Sequence, residues 1–195
     1  VVGSRQGTEI NQRNLRFILS DVKNVPLTIV SGLALGLDAL AHELALANTL
    51  PTIAVLGSSV EPDEIYPRSN VHLADRILAS GGLLVSPFPA KTEITRWNFP
   101  IRNQFIAALA DATLVASAAA KSGALITAKL ALEYGKDVFV IPGYVDDPLY
   151  MGSNSLLQQG AYPILSSQNL LEHFGFYEQP KLLALLVLTP GRLRV

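Results

Sequence analysis

The stretch Ser122–Gly143, SGALITAKLALEYGKDVFVIPG, most restricts what this chain can fold into. It reads as a Gly-containing turn, a helix, a short buried strand and a second Gly turn. Immediately before it, Asp111–Ala116 reads as another buried strand. Strand, small-residue loop, helix, strand is the unit of a parallel α/β sheet. The Ser122-Gly123 turn then falls at the carboxyl end of its strand, where open α/β sheets bind ligands. Small residues at a helix N-terminus let a ligand approach backbone N–H groups, which suits a phosphate.

The same rhythm runs through the rest of the chain. Val1-Val2-Gly3-Ser4-Arg5 reads as the end of a first strand and its turn. The expectation is that residues upstream have been lost or that the chain starts directly with the sheet. Helices are expected at Thr8–Val22, Leu37–Asn48, Ser69–Ala79, Ile101–Leu109 and Ser167–Phe174, with a helical turn or two at Asn154–Gln159. Pro100 is well placed near the start of the fourth of these. Strands are expected at Pro26–Val30, Thr52–Leu56, Gly82–Ser86 and Tyr162–Leu165. Four small-residue turns fall at strand ends: Gly3-Ser4-Arg5, Ser31-Gly32, Gly57-Ser58 and Ser122-Gly123. Alternate helix crossings line them up along one edge of a sheet. The expected fold is α/β: an extended Rossmann-like, doubly wound, mostly parallel sheet with helices on both faces, over residues 1–175. From residue 176 the character changes, and 176–195 reads as a linker and C-terminal extension.

Composition narrows the function classes. With 49% hydrophobic and 16% charged residues, the chain has material for a large core and little resemblance to a disordered segment. It has no cysteine, which excludes disulfides and thiolate metal sites, and no His/Asp/Glu spacing matches a metal site. No cofactor is expected. The longest apolar run near the end, Leu182–Leu188, is too short to span a bilayer, and no signal-peptide pattern opens the chain. A cytoplasmic protein with no membrane contact is the expectation. The net charge of −1 gives no global basic footprint for nucleic acid. Arg5, Arg68, Arg96, Arg102 and Lys121 nevertheless all fall in or beside loops, where several can meet at one sheet edge.

Neither G-x-G-x-x-G nor a Walker A pattern is present, which argues against a conventional NAD enzyme or P-loop ATPase. Asp38 and His42 share a helix face four residues apart. They read as a helix-stabilising pair, with His42 oriented by Asp38, in preference to an acid/base couple, because no nucleophile accompanies them. The loop Trp97-Asn98-Phe99-Pro100-Ile101-Arg102-Asn103 has two readings. Its aromatics, Arg and Asn can stack a base and hold a phosphate. Alternatively, Trp97 and Phe99 plug the sheet while Arg102 caps a carbonyl. Tyr66-Pro67-Arg68 has the same two readings.

The ordered set of motifs resembles one family, the DNA-processing protein A family (DprA, also called Smf). The matching segments are Val2–Arg5, SGLALGLDALAH at Ser31–His42, YPRSN at Tyr66–Asn70, NFPIRN at Asn98–Asn103, SGALITA at Ser122–Ala128, VFVIPG at Val138–Gly143 and GSNSLLQQGA at Gly152–Ala161. The resemblance covers about residues 1–174. It implies a Rossmann-like domain that binds single-stranded DNA without being an enzyme. It also implies a homodimer formed through the Tyr162–Phe174 region, protection of incoming strands in natural transformation, and help in loading a RecA-type recombinase. The family's strand-binding surface carries over to Gly3, Ser4, Arg5, Arg68, Arg102 and Asn103. With the sheet-edge turns and neighbouring residues, the expected DNA-binding set adds Ser31, Gly32, Tyr66, Asn70, Phe99, Ser122, Gly123, Thr127 and Gly143. In this reading Arg5, Arg68 and Arg102 neutralise phosphates, the Ser122-Gly123 turn offers backbone N–H groups, and Phe99 or Trp97 packs near a base. Arg5→Ala and Arg102→Ala are each expected to weaken binding and leave stability nearly intact. The chain departs from the family pattern at Ser117, where relatives carry an acidic residue, at Pro87, where they carry Glu, and at Gln104, where a second Arg is common. The alternative is a nucleotide sensor or enzyme like the "lonely guy" phosphoribohydrolases of related fold. Their catalytic Glu has no counterpart in Ser122–Ala128, and Glu133 lies further along the helix.

Overall fold

The computed structural model describes residues 1–23 and 25–176. The expected C-terminal extension therefore lies, from residue 177 on, outside the described residues. Strands β1 (Ile29–Ser31), β2 (Thr52–Val55) and β3 (Leu83–Val85) pair in parallel in the order β1-β2-β3. Strands β4 (Ala112–Val115), β5 (Asp137–Val140) and β6 (Tyr162–Pro163) pair in parallel in the order β4-β5-β6. The extended segment Val1–Val2 joins the two halves. Val2 bridges Val115 in parallel, donating to the Leu114 carbonyl and accepting from the Ala116 N–H, both at 2.9 Å. On its other side Val1 N donates to the Val30 carbonyl at 2.7 Å, and the Val1 carbonyl accepts from Ser31 Oγ at 2.7 Å. The sheet thus runs β3-β2-β1, Val1–Val2, β4-β5-β6. The chain winds outward in opposite directions from Val1–Val2 and from β4, so the topological switch point lies between these two strands.

The inner strands β1, β2, β4 and β5 are short apolar runs largely buried on both faces, as a covered parallel sheet requires, while the edge strands β3 and β6 keep exposed residues. Their period of two sends alternate side chains to opposite layers. Ile29, Leu114 and Phe139 face α1 (Glu9–Leu19), α2 (Leu37–Ala47) and α7 (Ser167–His173), where Leu15, Ile18, Leu40, Leu44 and Leu170 complete one core layer. Val30, Val55, Val115, Val138 and Val140 face the other way. They pack on Ile106 and Ala107 of α4 (Asn98–Leu109), Ala124, Ala128 and Ala131 of α5 (Gly123–Glu133), and Leu156 of α6 (Met151–Gln158). Helix α3 (Val71–Ala79) sets Leu73, Ala74 and Ile77 over Ala54 and Leu56, beside α2. The expected doubly wound sheet with helices on both faces is the observed fold.

Two helix starts differ from the sequence reading by three residues. Helix α4 begins at Asn98 and holds Pro100 as its third residue. Proline is tolerated there because the first N–H groups of a helix have no intrahelical acceptor. Helix α6 begins at Met151, ahead of the expected Asn154. Its Gly152 allows this: the Gly152 N–H donates to the Ala118 carbonyl at 2.8 Å, and a Cβ at Gly152 would strike the Ala118 and Ala119 carbonyls.

Candidate functional site

The four small-residue turns do assemble at one edge, and the first turn of α4 crosses over them. Asn98, Arg102 and Asn103, at i, i+4 and i+5, share the buried face of that helix. Asn98 Nδ2 donates to the Gly57 carbonyl at 3.0 Å. The Arg102 guanidinium donates to the Val55 carbonyl at 2.8 Å, to the Gly32 carbonyl, and through Nε to Asn103 Oδ1 at 3.0 Å. Asn103 Nδ2 in turn donates to the Gly123 carbonyl at 3.2 Å. Asp38, in the first turn of α2, also approaches Gly32, and a Cβ on Gly32 would strike both its carboxylate and the Arg102 guanidinium. Burial pushes the Asp38 carboxyl up, while Arg102 and the backbone N–H groups of Gly3 and Gly32 pull it down.

Above this floor lies a cleft of about 460 Å³ at the switch point, bounded by Gly3, Ser4, Arg5, Phe99, Ser122 and Thr127 among others. A narrower lobe lined by Gly32, Gly57, Tyr66 and Pro67 continues from it through Arg5, Phe99 and Arg102. The exposed Arg5 guanidinium sits 5.0 Å from the Phe99 ring centroid. The Tyr66 ring lies 5.9 Å from Phe99, tilted by 52°. A free cation and two aromatic rings thus line up across the cleft and its lobe. On the far wall, Ser122 caps α5, its Oγ accepting from the Ala124 N–H at 3.2 Å, and Gly123 is exposed. The helix N-terminus faces the cleft with its dipole. Another cavity of about 400 Å³ lies at the amino end of the strands, lined largely by apolar groups including Leu27, Ile29, Phe139 and Phe174. None of the expected site residues lines it.

Eleven expected residues line the cleft or its lobe: Gly3, Ser4, Arg5, Gly32, Tyr66, Phe99, Arg102, Asn103, Ser122, Gly123 and Thr127. Four do not. Ser31 is fully buried, its Oγ bound to the Val1 carbonyl. Asn70 Nδ2 donates to the Leu33 carbonyl at 2.9 Å and so braces the loop after β1. Arg68 is exposed outside the lobe, with Nη1 on the Pro62 carbonyl at 3.2 Å. Gly143 packs against the Tyr150 ring, leaving no room for a Cβ, and Asn154 holds both its N–H and its carbonyl, at 3.2 and 3.1 Å.

Three readings of side chains change. Arg102 is only 4% exposed and is engaged by three acceptors, so its removal cannot leave stability nearly intact as expected. The carbonyl-capping reading of Arg102 is the one the structure bears out. His42 is not oriented by Asp38: its Nδ1 meets Thr52 Oγ1 at 2.7 Å, and that hydroxyl already donates to the Ile29 carbonyl at 2.8 Å. His42 Nδ1 is therefore the donor, and burial pushes the imidazole pKa down to about 3. Trp97 neither plugs the sheet nor lines the cleft. It is 64% exposed at the residue just ahead of α4, with the Arg96 guanidinium 4.8 Å from its ring. Asp38 and Asn98 are the floor residues the sequence reading left out of the site. Their signal was the i, i+4, i+5 spacing Asn98-Arg102-Asn103 and an aspartate four residues ahead of a helical histidine.

Among the described residues no helix is long and apolar enough to cross a membrane. The family model described as DNA recombination-mediator protein A matches residues 1–175. Protein Smf of Escherichia coli is 40% identical over 176 residues, which is 90% of this chain and 46% of that protein. DNA processing protein A of Streptococcus pneumoniae, known from an X-ray structure, superposes with a TM-score of 0.80 at 39% identity, covering 88% of this chain and 59% of that one. DNA processing protein A of Helicobacter pylori, whose structure was studied for its single-stranded DNA binding mode, superposes at 0.78 with 32% identity, covering 89% and 77%. The chain spans about half the length of the curated relatives it matches.

Proposed function

The chain belongs to the DNA recombination-mediator protein A family, and from that premise we propose that its carboxyl-edge cleft binds single-stranded DNA. The observation that carries this reading is the line Arg5–Phe99–Tyr66 across the cleft, facing the N-terminus of α5. It offers a phosphate-binding cation, π surfaces on which bases stack, and a helix terminus for a second phosphate. A duplex buries those base faces, whereas a single strand presents them. Arg68 and Lys121, both exposed, flank the two ends of the path. No carboxylate stands in Ser122–Ala128 to act on a nucleotide, which supports binding without chemistry; the Helicobacter pylori relative's single-stranded DNA binding is consistent with this.

Within the cell the proposed role is that of the family resemblance: a cytoplasmic protein that protects incoming strands in natural transformation and hands them to a RecA-type recombinase. Homodimerisation is proposed through β6 and α7, where Tyr162 is exposed on a strand paired only with β5 among the described strands and Leu165 is exposed just after it. The deciding experiment is titration of labelled oligo-dT at two salt concentrations. With Arg5, Arg68 and Lys121 as three phosphate contacts, affinity should fall by about 20-fold between ~50 and ~200 mM salt. Binding that ignores salt would count against the cleft as a DNA site. Incubation with nucleoside monophosphates should release no free base, and release would favour the phosphoribohydrolase-like alternative.

A further inference from the structure

We infer that Arg102, with Asp38 and Asn103, is a positioning residue of the cleft and not one of its phosphate contacts; the inference rests on the single-stranded DNA reading above. The family-derived expectation treats the Arg102 charge as available to a phosphate. Its surroundings say otherwise. Arg102 is only 4% exposed, and its Nε and Nη1 are turned inward, Nη1 onto the carbonyls of Gly32 and Val55 and Nε onto Asn103 Oδ1. Burial works against the Arg102 charge and Asp38 supports it. The two side chains meet around Gly32 without closing to ion-pair distance, since the one pair within 4.0 Å among the described residues is His173–Asp137. Gly32 is the spacer that makes this possible, because any side chain there would occupy the same volume.

What the group achieves is registration of separate strand ends. Arg102 ties the loop after β1 to the end of β2. Asn103 extends the tie to the carbonyl of Gly123 at the start of α5. Asp38 sets its carboxylate beside Gly32 and lines the same cleft as the Gly3–Arg5 turn. The two walls of the cleft, the Gly3–Arg5 turn and the α5 N-terminus, come from strands on either side of the switch point. Besides the Val1–Val2 segment, this polar network is what sets them at a fixed spacing. A strand that must touch both walls binds most tightly when that spacing exists before it arrives, because the loops then lose no freedom on binding.

The test compares Arg102→Gln and Arg102→Lys with wild type and Arg5→Ala, by anisotropy of labelled oligo-dT over a salt series, at a temperature where circular dichroism shows each variant folded. Positioning predicts that both Arg102 variants bind about tenfold more weakly with an unchanged salt slope. The lysine cannot reproduce the planar fork that reaches three acceptors, so it should not rescue. A phosphate contact predicts the opposite: Gln lowers the slope by about 0.7 and Lys restores both slope and affinity. Wild-type affinity in folded Arg102 variants would also overturn the inference, leaving a role in the fold alone. If neither variant folds, Asn103→Ala carries the test, since it cuts only the tie to Gly123; the expected result is weaker binding at constant slope, and unaltered binding refutes. Wild-type protein that binds no oligonucleotide removes the DNA reading itself, an outcome distinct from wild-type binding that Arg5→Ala weakens and the Arg102 variants do not.

Discussion

Arg5→Ala separates a ligand contact from a structural one most cleanly in this molecule. Arg5 is exposed, and among the described residues its side chain approaches the Phe99 ring at 5.0 Å without a hydrogen bond. A cation–π contact at an exposed site contributes about 0.5–1 kcal/mol. For a chain of this size 1 kcal/mol shifts the melting temperature by roughly 2–4 °C, so the variant should melt no more than about 4 °C lower. The binding cost is larger. Loss of one hydrogen bond to a charged group is worth about 1.5–3 kcal/mol, or roughly 10- to 150-fold in Kd. Because a phosphate contact is removed, the dependence of log K on log salt should also flatten by about 0.7. The assay is anisotropy of labelled oligo-dT over a salt series, with thermal melting on the same preparations. A fall in affinity at constant slope would mean that Arg5 acts through the shape of the cleft, and unchanged affinity would remove the residue from the site. A melting-temperature loss above ~10 °C would show that the Phe99 contact had been misjudged as peripheral.

Gly143→Ala should do the reverse of Arg5→Ala. Its Cβ would fall within the buried Tyr150 ring, so overpacking should cost about 3 kcal/mol or more and lower the melting temperature by roughly 6–12 °C; a neutral effect on melting would refute the packing role. Gly123→Ala meets only Asn103 Nδ2 at 3.8 Å, so the fold should hold while a methyl group enters the cleft mouth, and oligo-dT affinity should drop with little change in melting; equal affinity would place the strand elsewhere. For His42 the folded pKa of about 3 lies below the ordinary histidine value of 6.5. Its contribution to stability is therefore fully present above pH 6.5 and is lost as pH falls toward 3. By pH 5 the loss should reach about 2 kcal/mol, read as the difference between wild type and His42→Gln in urea denaturation; parallel pH profiles for the two proteins would contradict it.

How much was legible beforehand depends on the range of the interaction. The strand–turn–helix units were legible because short apolar runs, small-residue turns and helical periodicity are local signals, and among the described residues β1 to β5 and α1 to α7 fall where those signals stand. The edge on which the four turns gather was legible as well, because parallel strands joined by helices place every turn of one kind on the same side. The start of α4 was misplaced by three residues because proline marks any position of a first helical turn, not one. At the site, Arg5, Phe99 and the Ser122-Gly123 turn were found as loop residues and stayed at the surface. Gly143 and Ser31 stand at strand-end turns by the same rule, yet the Tyr150 ring and the Val1 carbonyl claim them; the Val1 partner lies 30 residues away, and Tyr150 is turned back onto Gly143 only once α6 has docked.

By itself the sequence determined the parallel α/β architecture, the edge that carries the cleft and the family to which the chain belongs, since each rests on patterns readable within a few tens of residues. The tertiary structure alone decided which charges remain free. Arg5 and Arg102 look alike in the chain, each beside a small-residue or asparagine-containing loop. Only the crossing of α4 over the ends of β1 and β2 buries Arg102 among carbonyls and leaves Arg5 in solvent over Phe99. The physical reason is that a guanidinium goes inward only where acceptors from several separate strands converge on it, and that convergence exists nowhere in the sequence until the sheet has formed.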